Sequence, residues 1–319
     1  MRAARFLGEG RIVHLDLPPP QPGPGEVLLR VTACALCGSD LRPLSQGWPV
    51  TPGHEILGVV DQPGHAWHGR RALVYIPVYC GHCDDCLAGQ THICRNATDL
   101  MGWQRDGGYA EALAVPEQCL LPVPDDIPDH LAPLLLDAIG TTAHGLRLAR
   151  RVVPDGDALL LGAGPIGLGA LMVLRGMGVP VFLVEPCDFR AGFATSLGAT
   201  RLSPNAAATR RFPLVIEASG KDAARQMAFE QVAPGGAIVQ FGESDRWTIT
   251  ENKAIRRKDF SLLRSFYFPI GDHAANIALL RAQRDDYARL VDATAGFDGL
   301  QGLFDAFKAG QRLKPLFVP

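Results

Sequence analysis

The stretch Ala158-Leu159-Leu160-Leu161, running straight into Gly162-Ala163-Gly164-Pro165-Ile166-Gly167, restricts the fold more than any other part of the chain. It reads as an apolar strand, a G-x-G-x-x-G turn and then a helical pattern that continues to Gly176. A second apolar run, Val181-Phe182-Leu183-Val184, ends in Glu185, 18 residues past Gly167. The glycines let backbone approach a pyrophosphate, and the helix N-terminus stabilises its charge. An acid at the end of the second strand accepts hydrogen bonds from ribose hydroxyls, so the context is that of a dinucleotide-binding unit. Strand-like runs at 214–218 and 237–241, with a helix and Pro234-Gly235-Gly236 between them, extend the alternation over 157–270. Such alternation predicts a parallel, doubly wound sheet.

The first part of the chain has a different texture. Short β-type runs such as Glu26-Val27-Leu28-Leu29-Arg30-Val31 are broken by Pro18-Pro19-Pro20 and Pro22-Gly23-Pro24-Gly25, which predicts strands joined by tight turns. Cys37-Gly38-Ser39-Asp40 and Gly53-His54-Glu55 fall within this region. A thiolate and an imidazole suit zinc, but two ligands cannot close a tetrahedral site. Asp137, within Leu134-Leu135-Leu136-Asp137-Ala138-Ile139, is the candidate third ligand. Three protein ligands would leave an open position, which is what a catalytic zinc requires. Cys80, Cys83, Cys86 and Cys94 form a C-x2-C-x2-C-x7-C pattern. Four thiolates fill a zinc shell, so this site is expected to be structural, with His82 and His92 as solvated loop residues.

Residues 129–149 read as one helix carrying Asp137 and Thr141, and as the passage between domains. Helices are expected over 272–283 and 300–309, with a last strand at 313–318. The run Arg256-Arg257-Lys258 reads as a solvated face.

A chain of 319 residues with 47% hydrophobic content and a net charge of −2 can form two globular domains. It has no basic footprint for nucleic acid, no apolar run of membrane-span length, and no signal-peptide stretch at its N-terminus. A cytoplasmic enzyme is expected. The clustering of the cysteines favours metal in a reducing compartment over disulfides.

The motif order C-G-S-D, G-H-E, four-cysteine lobe, nucleotide unit and C-terminal return resembles the zinc-containing medium-chain alcohol dehydrogenase family over nearly the whole chain. The resemblance implies an α/β fold with a GroES-like β-rich catalytic domain at 1–137, its structural zinc lobe at 80–94. A Rossmann domain at 138–269 would bind NAD(P), and 270–319 would return to the catalytic domain. It implies Cys37, His54 and Asp137 as catalytic zinc ligands. An acid in the third place is closest to the polyol and threonine dehydrogenase branches, although the Pro that often follows it there is Ala138 here. Glu55 matches the acid beside the histidine ligand, a direct or transient ligand. Asp40 would orient His54, Ser39 would take the alcohol's proton, and Thr141 would touch the nicotinamide. Arg190 would contact the ribose, and Phe241 joins the cofactor set. Cys34, Cys119 and Cys187 have no motif partner and are expected to be buried small apolar residues.

The implied activity is zinc-dependent hydride transfer between a secondary alcohol, polyol or amino alcohol and NAD(P), giving a ketone or aldehyde. Two Zn2+ per chain are expected, one catalytic and one structural. NAD is favoured over NADP, because a carboxylate at Glu185 would repel a 2′-phosphate. The expected partner is a small-molecule alcohol, without nucleic acid or membrane, in a homodimer or homotetramer.

Trp48, Trp103 and Phe266 are candidate pocket walls. One departure is Arg42, which stands where many members carry a relay histidine. A guanidinium cannot act as a base near neutral pH. Water then takes the proton, the preferred reading, or Arg42 contacts an anionic substrate or a cofactor phosphate. Two alternatives compete: a zinc-free quinone- or enoyl-type NADPH reductase on the same fold, and a non-catalytic nucleotide-binding protein. The first usually lacks both ligand sets, and the second predicts lost ligands.

Overall fold

Glu26–Ala35 alternates buried and more exposed residues along most of its length, as a strand with one face on a core must. It pairs antiparallel with Glu55–Val60, with Ala112–Pro116 and with Leu316–Phe317. Arg71–Val74 and Leu120–Pro122 continue the sheet beyond Glu55–Val60, and Thr294–Ala295 closes the other end. The register decides what meets at one end of this sheet. Ala35 stands opposite Glu55 on one side and Leu316 on the other. The chain leaving Ala35, the chain entering Glu55 and the chain entering Leu316 therefore converge.

This computed structural model describes residues 1–97, 99–244, 246–248 and 252–319. They divide into two compact units, one of Met1–Asp137, Pro269–Ala274 and Arg284–Pro319, the other of Ala138–Phe268 and Ala275–Gln283. The first is the β-rich unit.

The second is a Rossmann unit. Its parallel sheet has the order Thr200–Arg201, Val181–Val184, Ala158–Leu161, Phe212–Glu217, Val232–Gln240, Ser261–Arg264. The strand order reverses beside Ala158–Leu161, and a dinucleotide binds at such a switch point. All of Ala158–Leu161 is buried, as expected for a strand covered on both faces. Phe212, Val215, Phe229 and Ile238 pack with Leu159 and Leu161 in the core.

Several local expectations need correction. The helix expected over 129–149 is three pieces: a 3-10 turn at Ala132–Leu135, a π-turn at Asp137–Thr141, and an α-helix at Thr142–Val152. Pro133 cannot donate within the first turn and Gly140 weakens the continuation, so the backbone winds tight and then wide around Asp137. The helices expected over 272–283 and 300–309 run His273–Ala282 and Phe297–Lys308, and the last strand is only Leu316–Phe317. Lys258 is not on a solvated face. It is buried, and its ammonium donates to the carbonyls of Phe229 and Glu230, both at 2.7 Å, at the end of the helix Asp222–Gln231. Such last-turn carbonyls have no partner within the helix. Cys34 and Cys119 are buried, but Cys187 is only partly so, at the N-cap of Asp188–Ser196.

Candidate metal centre and dinucleotide site

Cys37 leaves the strand Glu26–Ala35 and caps the 3-10 turn Gly38–Asp40. His54 and Glu55 enter the paired strand, and Asp137 opens the π-turn. Sγ of Cys37 lies 3.3 Å from Oδ2 of Asp137, and Nε2 of His54 lies 3.4 Å from the same oxygen. One ligand atom from each of Cys37, His54, Glu55 and Asp137 falls within 4.8 Å of every other, and all four residues are buried.

Asp40 supports the group from behind. Its Oδ2 accepts hydrogen bonds from the Cys37 N–H at 2.9 Å and the Tyr109 hydroxyl at 2.7 Å. Its Oδ1 lies 3.3 Å from Nδ1 of His54, an ion-pair contact without hydrogen-bond alignment. Ser39 sits half-buried in the same 3-10 turn.

Two members of this cluster were not expected. Lys314 is fully buried, and its ammonium donates to Oε1 of Glu55. The C-terminal strand delivers it, because the Leu36 N–H bonds to the Pro315 carbonyl at 3.0 Å and Leu316 pairs with Ala35. Tyr109, also fully buried, belongs to no motif in the sequence. The available signal for Lys314 was a lone lysine inside Leu313-Lys314-Pro315-Leu316-Phe317, an apolar run that a solvated lysine does not need.

The electrostatics favour a cation. Asp40, Glu55 and Asp137 are three buried carboxylates; Glu55 and Asp137 act on Lys314, and Asp40 stands beside His54. Burial pushes the Glu55 carboxyl up to about 7 even though the Lys314 ammonium pulls it down. Burial opposes protonation of His54, yet Asp40 and Asp137 outweigh it and raise the imidazole well above its usual range. Burial and Asp137 raise the Cys37 thiol. Each shift reflects negative charge held away from water, which is costly until a cation completes the site. Glu55 Oε2 is buried with no hydrogen-bond partner. A thiol, an imidazole and carboxylates are a zinc donor set, so the residues fit zinc.

In the lobe, Sγ of Cys94 lies 3.6 Å from that of Cys80 and 3.7 Å from that of Cys83, and Cys80 and Cys86 are 4.0 Å apart. Zinc–sulfur bonds of about 2.3 Å give a tetrahedron with edges of roughly 3.8 Å, so the spacing fits a four-thiolate shell. Backbone N–H groups of Cys80 and Cys83 point at Cys94 and Cys80 sulfurs at 3.4 and 3.3 Å. All eight cysteines are free. His82 is exposed as expected, but His92 is buried at 5% exposure and is not a solvated residue.

In the Rossmann unit Gly162 has φ +99°, and a Cβ there would meet Ser219 at 2.9 Å. A Cβ on Gly167 would lie 2.0 Å from the Gly162 carbonyl oxygen, so only glycine allows this turn. A Cβ on Gly164 would project into open space, which fits a pyrophosphate approaching bare backbone. Gly164 caps the helix Pro165–Gly176 with Pro165 at its first position and Ile166 next, leaving N–H groups free for an anion. Glu185 accepts from the Ala163 N–H at 2.6 Å and the Cys187 N–H at 2.8 Å, which ties the glycine turn to the end of the second strand. Glu217, unnoticed in sequence, similarly accepts from Ser219 and Gly220 N–H groups at 2.8 Å. Phe241 and Thr141 are both buried at 8% exposure, and Arg190 is half-buried on Asp188–Ser196.

Of the candidate pocket walls, Trp48 and Trp103 meet edge to face at 5.8 Å, and Trp103 also lies 5.4 Å from the His54 ring. Phe266 belongs to the other unit, where it packs on Tyr267.

Residues 23–125 match the family model of the alcohol dehydrogenase GroES-like domain, and residues 165–282 match that of zinc-binding dehydrogenases. The chain is 28% identical to an L-threonine 3-dehydrogenase of Shewanella loihica over 97% of this chain and 96% of that protein. It is 32% identical to an L-threonine 3-dehydrogenase of Shewanella woodyi over 75% of this chain and 76% of that one. Among solved structures, an alcohol dehydrogenase from Thermus sp. ATN1 superposes with a TM-score of 0.88 at 25% identity, covering 100% of both chains.

Proposed function

The chain belongs to the zinc-containing medium-chain alcohol dehydrogenase family and is an NAD(P)-dependent alcohol or polyol dehydrogenase; from that premise we propose that Cys37, His54 and Asp137 hold its catalytic zinc, with Glu55 as an alternate ligand. The convergence of those four side chains within 4.8 Å is the observation that carries this reading. The substrate is a secondary alcohol, polyol or amino alcohol, and the named activity of the L-threonine 3-dehydrogenase relatives supports a secondary alcohol. When bound, zinc supplies Lewis-acid polarisation of the alcohol oxygen, and the nicotinamide supplies the hydride acceptor.

The chain's own residues do the positioning. Asp40, fixed by the Cys37 N–H and the Tyr109 hydroxyl, holds the His54 imidazole in orientation. Ser39 takes the alcohol's proton and passes it to solvent, since Arg42 cannot serve as a base. Thr141 and Phe241 line the nicotinamide, and Gly162, Gly164, Pro165, Ile166 and Gly167 cradle the pyrophosphate. Steady-state assays over secondary alcohols and polyols, read by NADH absorbance, test the reading; a zinc-loaded protein that oxidises none of them would refute it.

Cys80, Cys83, Cys86 and Cys94 hold a second, structural zinc. Cys86→Ser is expected to remove one zinc per chain and lower the thermal midpoint, while the remaining folded protein keeps most of its kcat. Metal analysis and calorimetry check this, and full zinc content with an unchanged midpoint would reject it.

NAD is the preferred cofactor. Glu185 and Arg190 contact the adenosine ribose, and the Glu185 carboxylate opposes a 2′-phosphate. The expected result is a kcat/KM for NAD at least about tenfold above that for NADP, an advantage that Glu185→Ser erodes. Equal efficiency with the two cofactors in the unmodified enzyme would contradict it. Homo-oligomeric assembly and a cytoplasmic location belong to the same reading, and eight free thiols fit a reducing compartment. Among the described residues no helix is long and apolar enough to cross a membrane.

A further inference from the structure

We propose that Glu217 is a specificity-determining residue of the dinucleotide site, its buried negative charge favouring the positively charged, oxidised nicotinamide over a neutral ring. The inference rests on the NAD reading above and goes beyond it, since Glu217 belongs to no part of the glycine motif. Glu217 ends the strand Phe212–Glu217, between Ala158–Leu161 and Val232–Gln240 in the sheet. Its register partners are Leu161 and Gln240. These are the residues just before the glycine turn and just before Phe241. The carboxylate therefore stands where the segments assigned to the pyrophosphate and to the nicotinamide leave the sheet. Both segments pack around Glu217. Ser219, which donates to Oε1 through its N–H at 2.8 Å and its hydroxyl at 2.7 Å, lies against Gly162. On the other side, the Phe241 and Gly242 N–H groups donate to the Glu217 carbonyl at 2.8 and 3.0 Å, and a Cβ added to Gly242 would collide with Oε2.

The two carboxylate oxygens differ. Oε1 takes a third hydrogen bond, from the Gly220 N–H at 2.8 Å. An oxygen that accepts from three donors and donates to none behaves as that of an ionised carboxylate. Oε2 has no hydrogen-bond partner, in a residue with 0% exposure. Among the described residues Glu217 also has no cationic partner. Arg264, which ends the next strand but one, pairs with Glu243 at 2.8 Å instead. A buried charge without a counter-charge is costly. The oxidised nicotinamide carries a positive charge and the reduced ring none, so only the oxidised cofactor offsets that cost. The effect needs no direct contact, because charges interact over several ångströms where water is excluded. It holds the oxidised cofactor and eases release of the reduced one, which favours alcohol oxidation.

Isothermal titration calorimetry of the zinc-loaded enzyme with NAD, benzamide adenine dinucleotide and ADP-ribose tests this. The second ligand replaces the cationic ring by a neutral ring of similar shape, and the third lacks the ring altogether. NAD is expected to bind about tenfold more tightly than the benzamide analogue. Glu217→Gln, which keeps the shape and the Oε1 acceptor, should bring that ratio towards one while changing ADP-ribose affinity by less than about twofold. Glu217→Asp, which keeps the charge, should retain part of the preference. Equal binding of NAD and the benzamide analogue by the unmodified enzyme overturns the proposal, whether or not the variants fold. So does a ratio that survives Glu217→Gln, or a loss of affinity that all three ligands share in that variant, which assigns Glu217 to the building of the turns alone. Binding of ADP-ribose without discrimination between the dinucleotides overturns the charge effect and leaves the NAD assignment standing. Binding of none of the three overturns that assignment and this inference with it.

Discussion

Asp137→Asn is expected to lower turnover by at least about a hundredfold and to reduce zinc occupancy at the catalytic site. Loss of outer-shell partners alone costs metal sites roughly 10–100-fold, and this substitution alters a proposed direct ligand. The carboxylate Oδ2 stands 3.3 Å from the Cys37 sulfur and 3.4 Å from His54 Nε2, a distance at which one cation can bridge all three. Asparagine keeps the shape and one oxygen but removes the charge that favours a divalent cation. Asp137→Cys substitutes another anionic ligand and should recover occupancy better than asparagine does. Metal analysis after dialysis, alongside kcat/KM for a responsive alcohol, separates the outcomes. An asparagine variant with full zinc and undiminished turnover would remove Asp137 from the ligand set.

Lys314→Met is expected to destabilise the zinc-free protein by about 3–5 kcal/mol, the usual cost of leaving one member of a buried ion pair alone. Both Lys314 and Glu55 are fully buried, so water cannot take over the lost contact. The zinc-free form is the right one to measure, because a bound cation would take over part of the ammonium's role. Adding Glu55→Gln should return much of the loss, since the carboxylate that the ammonium contacts directly is then neutral. Thermal midpoints of the two single variants and the double variant complete a cycle. If the methionine variant melted with the unmodified protein, the pair would have no structural weight.

The Rossmann unit could be read from local sequence because its signals are local. An apolar strand, three glycines at fixed offsets and an acid after the next strand lie within 158–185, and each answers a steric or electrostatic need of a pyrophosphate-binding turn. The four-cysteine lobe is legible for the same reason: its spacing lets one short loop wrap a tetrahedron. Helix boundaries near Asp137 were not legible. A helical pattern cannot distinguish an α-turn from the tight-then-wide winding that Pro133 and Gly140 permit.

What the sequence alone determined was the chemistry available: thiolates, imidazole and carboxylates in motifs, and a turn built for a dinucleotide. The tertiary structure decided which of these meet. Residues 35, 55 and 316 are far apart in sequence, and only strand register sets Ala35 against Glu55 and Leu316. That register carries Lys314 onto Glu55 and Tyr109 lies against Asp40, contacts that no periodicity announces. It is fixed by burial of one sheet face over many residues, since a slip of one position would turn every side chain to the opposite face.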